Sequence, residues 1–200
     1  MTNLQDIAEE VRSCTKCALH KGRINAVPGE GTGNASIMFI GEGPGFYEDR
    51  EGRPFVGPAG KFLEQLLTSI NIKRTEVYIA NMVKCRPINN RDPLPAEIQE
   101  CSPYLDRQIE IVNPKLVVTL GRHALSKFFP GESIMRARGK PRKLSDDRII
   151  YPILHPAAAL HRQDLRATIE TDFLTIPELL KNHSSEPVTT DESPKQLDLF

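Results

Sequence analysis

Four short apolar runs recur along the chain, at Ile37–Ile40, Val77–Ala80, Leu116–Leu120 and Ile149–Leu154. Each ends in a residue suited to a turn or a site: Gly41, Asn81, Gly121 and His155. Helical patterns lie between them. Phe62, Leu63, Leu66, Leu67 and Ile70 repeat at the i, i+3, i+4 spacing of a half-buried helix. Pro95, suited to a first helical position, opens a second helix through Cys101 to about Val112. A third runs from Arg122 to about Phe129, and Asp164 is placed to cap a last one ending near Lys181. Strand–helix alternation of this kind predicts an α/β fold: a three-layer α/β/α sandwich on a central four-stranded, mainly parallel sheet. Sites in such sheets gather at the C-terminal ends of the strands.

With 39% hydrophobic and 26% charged residues, the 200-residue chain has the composition of a globular protein. No apolar run approaches the ~18 residues of a membrane span. The first residues, Met1-Thr-Asn-Leu-Gln-Asp6, lack a basic-then-apolar signal. Membrane and secreted classes are therefore excluded as expectations. A formal net charge of 0 excludes a uniformly basic coat, yet it hides an asymmetry. From Asn182 onward four carboxylates face one lysine, so the body carries the compensating +3, concentrated at Arg136–Lys143. The expected organisation is a catalytic body over 1–181, a polar Ser/Thr/Pro-rich linker over 182–195, and a terminal peptide, 196–200, in which apolar residues return.

Gly-rich segments invite a nucleotide-binding reading that fails on detail. Gly41-Glu-Gly43-Pro-Gly45 follows a strand, but Phe46 stands where a dinucleotide fingerprint needs glycine. Gly60-Lys61 has neither the upstream glycine nor the Ser/Thr of a P-loop. The remaining readings are tight turns, or backbone N–H groups of Gly41–Gly45 facing a ligand.

Four cysteines are present: Cys14, Cys17, Cys85 and Cys101. Cys14-x-x-Cys17 is a two-ligand clip, and four thiols with none left over point to a tetrathiolate site. Spacing alone does not separate zinc from an iron–sulfur cluster. Asn81 after a strand fits either a turn or an amide that accepts from and donates to a base edge. His155, after the last strand, fits a structural or a ligand-facing role. Phe55 in a loop is a packing plug or a stacking platform.

Taken together these segments resemble the family 4 uracil-DNA glycosylases, the iron–sulfur branch of their superfamily. The likeness covers residues 1–181. It rests on Cys14-x-x-Cys17, Gly41-Glu-Gly-Pro-Gly45, Gly52-Arg-Pro-Phe-Val-Gly57, Asn81-Met-Val-Lys-Cys-Arg-Pro87, Asn90-Arg-Asp-Pro93, Cys101 and His155-Pro-Ala157. The resemblance implies one four-iron, four-sulfur cluster on the four cysteines. It places Gly41, Glu42 and Gly43 against a flipped uracil, with Phe55 stacked on the ring. Asn81 would bond N3–H and O4, His155 would donate to O2, and Glu48 would sit near C5 and exclude a thymine methyl. Gly43 stands where other branches position water, so Glu42 is the remaining candidate base beside His155. The wedge position that fills the vacated stack falls at Ala159, with Leu160 next, so either Leu160 does the job or duplex invasion is weaker and single strands are preferred. Arg136, Arg138, Lys140, Leu160 and Arg162 are the expected DNA contacts.

Gln196-Leu197-Asp198-Leu199-Phe200 resembles the peptide with which bacterial DNA enzymes dock on the sliding clamp. Leu197, Leu199 and Phe200 would supply its apolar residues and Gln196 its amide anchor. A monomer in a bacterial cytoplasm, acting on uracil in single- or double-stranded DNA, is the expected setting. Two other readings stand beside it. One is a uracil-DNA-binding protein without turnover. The relative that traps DNA carries a longer, His-containing insert, whereas Arg86–Glu100 has no histidine. The other is a zinc-stapled nucleotide hydrolase, which would be colourless and inactive on DNA.

Overall fold

The computed structural model describes residues 3–185. Its strands are β1 (Glu30–Gly31), β2 (Ile37–Gly41), β3 (Tyr78–Asn81), β4 (Leu116–Leu120), β5 (Arg142–Lys143) and β6 (Ile149–Ile153). Its α-helices are α1 (Leu4–Ser13), α2 (Phe46–Glu51), α3 (Pro58–Ser69), α4 (Pro95–Val112), α5 (Arg122–Phe128), α6 (Ile134–Ala137), α7 (Ala158–His161), α8 (Gln163–Leu174) and α9 (Ile176–Ser185). No helix among the described residues is long and apolar enough to cross a membrane.

The sheet order is β1-β3-β2-β4-β6-β5, with six strands rather than four. The inner four, β3, β2, β4 and β6, are parallel and match the four apolar runs. The additional β1 and β5 are two-residue antiparallel edge strands. A strand of two residues carries no alternation to read, which is why the sequence pattern does not announce them.

Both faces of the inner strands are covered, so the runs are mostly apolar rather than alternating. Ile37, Phe39, Val118, Tyr151 and Ile153 face one core with Leu63, Leu66, Ile169 and Phe173 from α3 and α8. Met38, Ile40, Val117 and Ile150 face the other with Leu105 and Ile109 of α4. A smaller third core joins Ile7 and Val11 of α1 to Cys85, Cys101 and Tyr104.

Local chemistry sets the helix ends. Asn3 Oδ1 accepts from Gln5 N at 2.8 Å and Asp6 N at 3.0 Å, and Asp6 returns a bond to Asn3 N, closing a capping box at α1. The C-terminal helical stretch differs from expectation. It breaks at Thr175 into α8 and α9, with Pro177 at the second position of α9, where its missing N–H is tolerated. Asp164 does not cap it but pairs with Arg162. Helix α9 runs to Ser185, four residues into the stretch expected as linker. The rest of that stretch and the peptide 196–200 lie outside the described residues.

The chain passes from β2 to β3 on one side and later to β4 on the other. The reversal opens a crevice at the C-terminal end of β2, a switch point where α/β sheets bind ligands.

Candidate active site

A cavity of about 280 Å³ occupies that crevice, lined by Glu42, Gly43, Glu48, Phe55, Asn81 and His155 from the expected set, with Gly45 beside them. Gly41 and Asn81 are cross-strand partners at the last residues of β2 and β3. A Cβ at Gly41 would overlap Asn81 Oδ1 and lie 2.7 Å from Phe55 Cζ. Glycine is therefore required where the amide and the ring converge.

Asn81 is buried, and its Oδ1 has no hydrogen-bond partner. An orphaned buried acceptor is costly, which points to a partner supplied from the cavity. Its backbone carbonyl is held from behind, accepting from Lys84 Nζ at 3.0 Å. Lys84, itself buried, also donates to Gln108 Oε1 at 2.6 Å. Gln108 in turn donates to the Pro28 carbonyl and the Tyr78 hydroxyl. Burial pushes the Lys84 ammonium down to about 8.

Phe55 takes a left-handed backbone, φ 51°, which a non-glycine residue adopts only when its surroundings impose it. Arg74 imposes it by donating to the Phe55 carbonyl at 3.1 Å and to the Pro54 carbonyl. The ring stacks on His155, with centroids 5.6 Å apart and planes 27° from parallel. His155 Nδ1 accepts from Ala157 N at 3.1 Å, so the ring proton sits on Nε2. Burial drives the His155 pKa down to about 4, so the imidazole is neutral at ordinary pH.

Glu48 is a brace as well as a lining residue. Its Oε1 accepts from Val56 N at 3.0 Å and Gly57 N at 2.9 Å, and its Oε2 from Gly45 N at 3.1 Å. One carboxylate thus joins the Gly loop to the Phe55 loop. Glu42 lies at the rim with its carboxylate 3.7 Å from His123 Nε2, and His123 is 3.5 Å from Asp92. Partial burial raises the Glu42 pKa.

The sequence reading assigned no role to Pro87, Asn90 and Arg91, which complete the cavity wall. Nor did it foresee His123 and Asp92 beside Glu42. The available signal for the wall was Asn90, whose φ of 54° needs a residue tolerant of left-handed backbone. His123 is the second residue of α5, and no local pattern marks it.

All four thiols line a second cavity, behind Asn81, with Lys84 and Tyr104. Arg23 Nη1 donates to Cys85 Sγ at 3.0 Å, and Lys84 N to Cys101 Sγ at 3.2 Å. The segment between Cys85 and Cys101 carries the Pro87, Asn90 and Arg91 wall.

The expected DNA contacts differ in their pairing and exposure. Arg138 is committed to Asp172 at 2.8 Å and ties the α6 turn to α8. Arg162 pairs with Asp164. Arg136 and Lys140 are exposed. On α7, Ala159 is buried whereas Leu160 is 47% exposed, so of the two wedge candidates Leu160 is the one that faces outward.

Residues 28–175 match the family model of the uracil DNA glycosylase superfamily. The type-4 uracil-DNA glycosylase of Sulfurisphaera tokodaii is 53% identical over 188 residues, covering 90% of this chain and 86% of the relative. That of Saccharolobus solfataricus is 51% identical, covering 96% of this chain and 91% of the relative. A type-4 enzyme of Thermotoga maritima is 45% identical, covering 85% and 91%. With the crevice, the unsatisfied amide and the four gathered thiols, this identity over nearly the whole chain means that it belongs to the uracil-DNA glycosylase superfamily, in its type-4 branch.

Proposed function

We propose that the chain excises uracil from DNA by hydrolysing the N-glycosidic bond of a flipped nucleotide, leaving an abasic site. The observation that carries this is the unpartnered Asn81 Oδ1, buried between Gly41 and Phe55 at the cavity floor. A base stacked in a duplex cannot reach such a floor, so the nucleotide must be extruded. The amide oxygen accepts N3–H of uracil and its NH2 donates to O4. Cytosine has no N3–H and presents a donor at C4, which leaves Asn81 unpaired. Discrimination of ~10⁴ is attainable when a buried partner goes unsatisfied.

Phe55 stacks on the ring. The C1′–N1 bond breaks with its electron pair passing to uracil, and negative charge grows on O2. The neutral His155, its proton on Nε2, donates to that oxygen; one such donor contributes about 3 kcal/mol. Water then bonds to C1′ and loses a proton, for which the Glu42 carboxylate is the acceptor at the cavity rim. Glu48, by bracing Gly45 to Gly57, fixes the wall near C5. Leu160, exposed on α7, is assigned to the vacated stack, and Arg136 and Lys140 to phosphates.

Cys14, Cys17, Cys85 and Cys101 are proposed to hold one four-iron, four-sulfur cluster. Soft thiolate donors suit zinc or iron–sulfur chemistry. The likeness to the iron–sulfur branch of the family supports the cluster over zinc. The cluster's contribution here is to tie α1 to the Cys85–Cys101 segment. The N–H groups of Arg23 and Lys84 that point at sulfur suit its charge.

The 196–200 peptide is proposed, on its sequence, to dock a monomeric enzyme on the sliding clamp of a bacterial cytoplasm, raising its effective concentration near DNA. Deleting it should abolish capture by the purified clamp without changing turnover.

The deciding experiment is cleavage of a labelled uracil-containing oligonucleotide, with alkali to cut abasic sites and a thymine control. Cleavage that disappears in Asn81→Ala, with free uracil as the released product of the wild type, supports the assignment. Tight binding without release of uracil overturns it in favour of a binding protein.

A further inference from the structure

The cavity mouth is flanked by an aromatic and cationic patch that the excision chemistry does not use. Phe46 opens α2 directly after Gly45, a cavity-lining residue, and its ring is 44% exposed. Tyr47 meets it edge-on, with centroids 5.4 Å apart and the Tyr47 side chain half exposed. Arg50 and Arg86 lie over the Phe46 ring at 5.5 and 5.2 Å. Arg86 comes from the opposite wall segment and donates to Asn90 Oδ1 at 2.8 Å. The patch is therefore joined to the cavity through both Gly45 and Asn90.

Two features separate it from ordinary surface. Neither Arg50 nor Arg86 has a carboxylate partner among the described residues, whereas Arg53, Arg91, Arg107, Arg138, Arg142 and Arg162 each have one. A large aromatic side chain is also left 44% exposed, with Tyr47 and the two guanidiniums against its ring. An exposed ring bordered by unneutralised guanidiniums is the composition that grips unpaired nucleic acid: the ring stacks a base and the cations meet phosphates.

We propose that Phe46, Arg50 and Arg86 form a docking surface for the unpaired nucleotide next to the flipped uracil, with Phe46 under its base and the two arginines at its flanking phosphates. The inference rests on the cavity being the uracil site, since that places the strand at this rim. Leu160 and the 157–160 turn occupy another stretch of the mouth, so the two devices act on different neighbours of the extruded base. A protein partner is the competing occupant. The charge argues against it, because the arginines supply what a phosphate backbone lacks.

The test uses the full chain with a single-stranded uracil oligonucleotide, comparing wild type, Phe46→Ala, Phe46→Tyr and Arg50→Ala. Phe46→Ala should weaken oligonucleotide binding by roughly 5- to 150-fold, the range of one lost base stack. Phe46→Tyr, which keeps the ring, should restore it. Arg50→Ala should lower the slope of log affinity against log salt by about 0.7, one phosphate on a single strand. Inhibition by free uracil, which reaches only the cavity, should be the same in all four proteins. Phe46→Ala and Arg50→Ala proteins that match wild type in KM and salt slope overturn the proposal, as does an equal loss of free-uracil inhibition. A wild type that neither binds nor cleaves the oligonucleotide overturns the cavity reading, and the proposal with it.

Discussion

The ammonium nitrogen of Lys84 lies 3.0 Å from the backbone carbonyl of Asn81 and 2.6 Å from Oε1 of Gln108, and all three residues are buried. Asn81 is thus anchored through its own main chain, by way of Lys84, to α4. Replacing Lys84 by Met removes both bonds and leaves two buried acceptors unpaired. A stability loss of about 2–4 kcal/mol is expected in urea unfolding, by the usual penalty for stranded buried polar groups. The surviving folded protein should lose discrimination between uracil and cytosine as well as rate. Unchanged selectivity would show that Asn81 is positioned by β3 alone.

Gly41→Ala adds a single methyl where Asn81 Oδ1 and the Phe55 ring already meet. Neither neighbour is the free end of a flexible chain, since Phe55 is packed on His155 and Asn81 is fixed at a strand end. Uracil release should fall by at least about a hundredfold, the scale on which a misplacement near 1 Å acts. The melting temperature should shift by only a few degrees, as overpacking of this size costs about 1–3 kcal/mol. Activity within tenfold of wild type would show that the floor can open.

The acid response has two separate origins. His155 has its pKa lowered from 6.5 to about 4 by burial. Between those values the unfolded chain takes a proton that the folded one refuses, so stability is complete above pH 6.5 and is lost as pH falls toward 4. The full loss is about 3 kcal/mol at 1.36 kcal/mol per unit. His155→Asn should flatten the urea midpoint over this range. Glu42 is shifted the other way, upward by burial, so as pH falls it gains its proton before an ordinary carboxylate does. The acid limb of kcat should therefore lie above the usual glutamate range and vanish in Glu42→Gln. A limb that survives in that variant assigns the water's proton to another group.

Cysteine replacement separates the thiol centre from the cavity chemistry. Cys101→Ser should bleach absorbance near 400 nm and lower the melting temperature by several degrees, because α1 loses its tie to α4. Iron-loaded wild type with no such absorbance would refute the cluster.

The inner sheet was legible because strands buried on both faces are apolar along their length, as Ile37–Ile40 is. Asn81, Phe55 and His155 could be singled out because each breaks its local pattern where a strand or loop ends. Other parts depend on contacts distant in sequence. Nothing near Glu48 says that it will accept from Gly57. Nothing near Arg138 says that Asp172 will claim it from the solvent. The break at Thr175 is marked in the sequence by Pro177, the second residue of α9, a signal that the reading of one helix from Asp164 to about Lys181 did not use.

The wall formed by Pro87, Asn90 and Arg91 hangs between two of the four gathered thiols, Cys85 before it and Cys101 after it. A loop clamped at both ends has little freedom to drift, whatever its own side chains contribute. Selectivity in the cavity would then be hostage to sulfur chemistry just beyond the same end of β3. An oxidant that never enters the base cavity can still blunt it, and damage to a reader of DNA damage would show first as lost fidelity rather than lost fold.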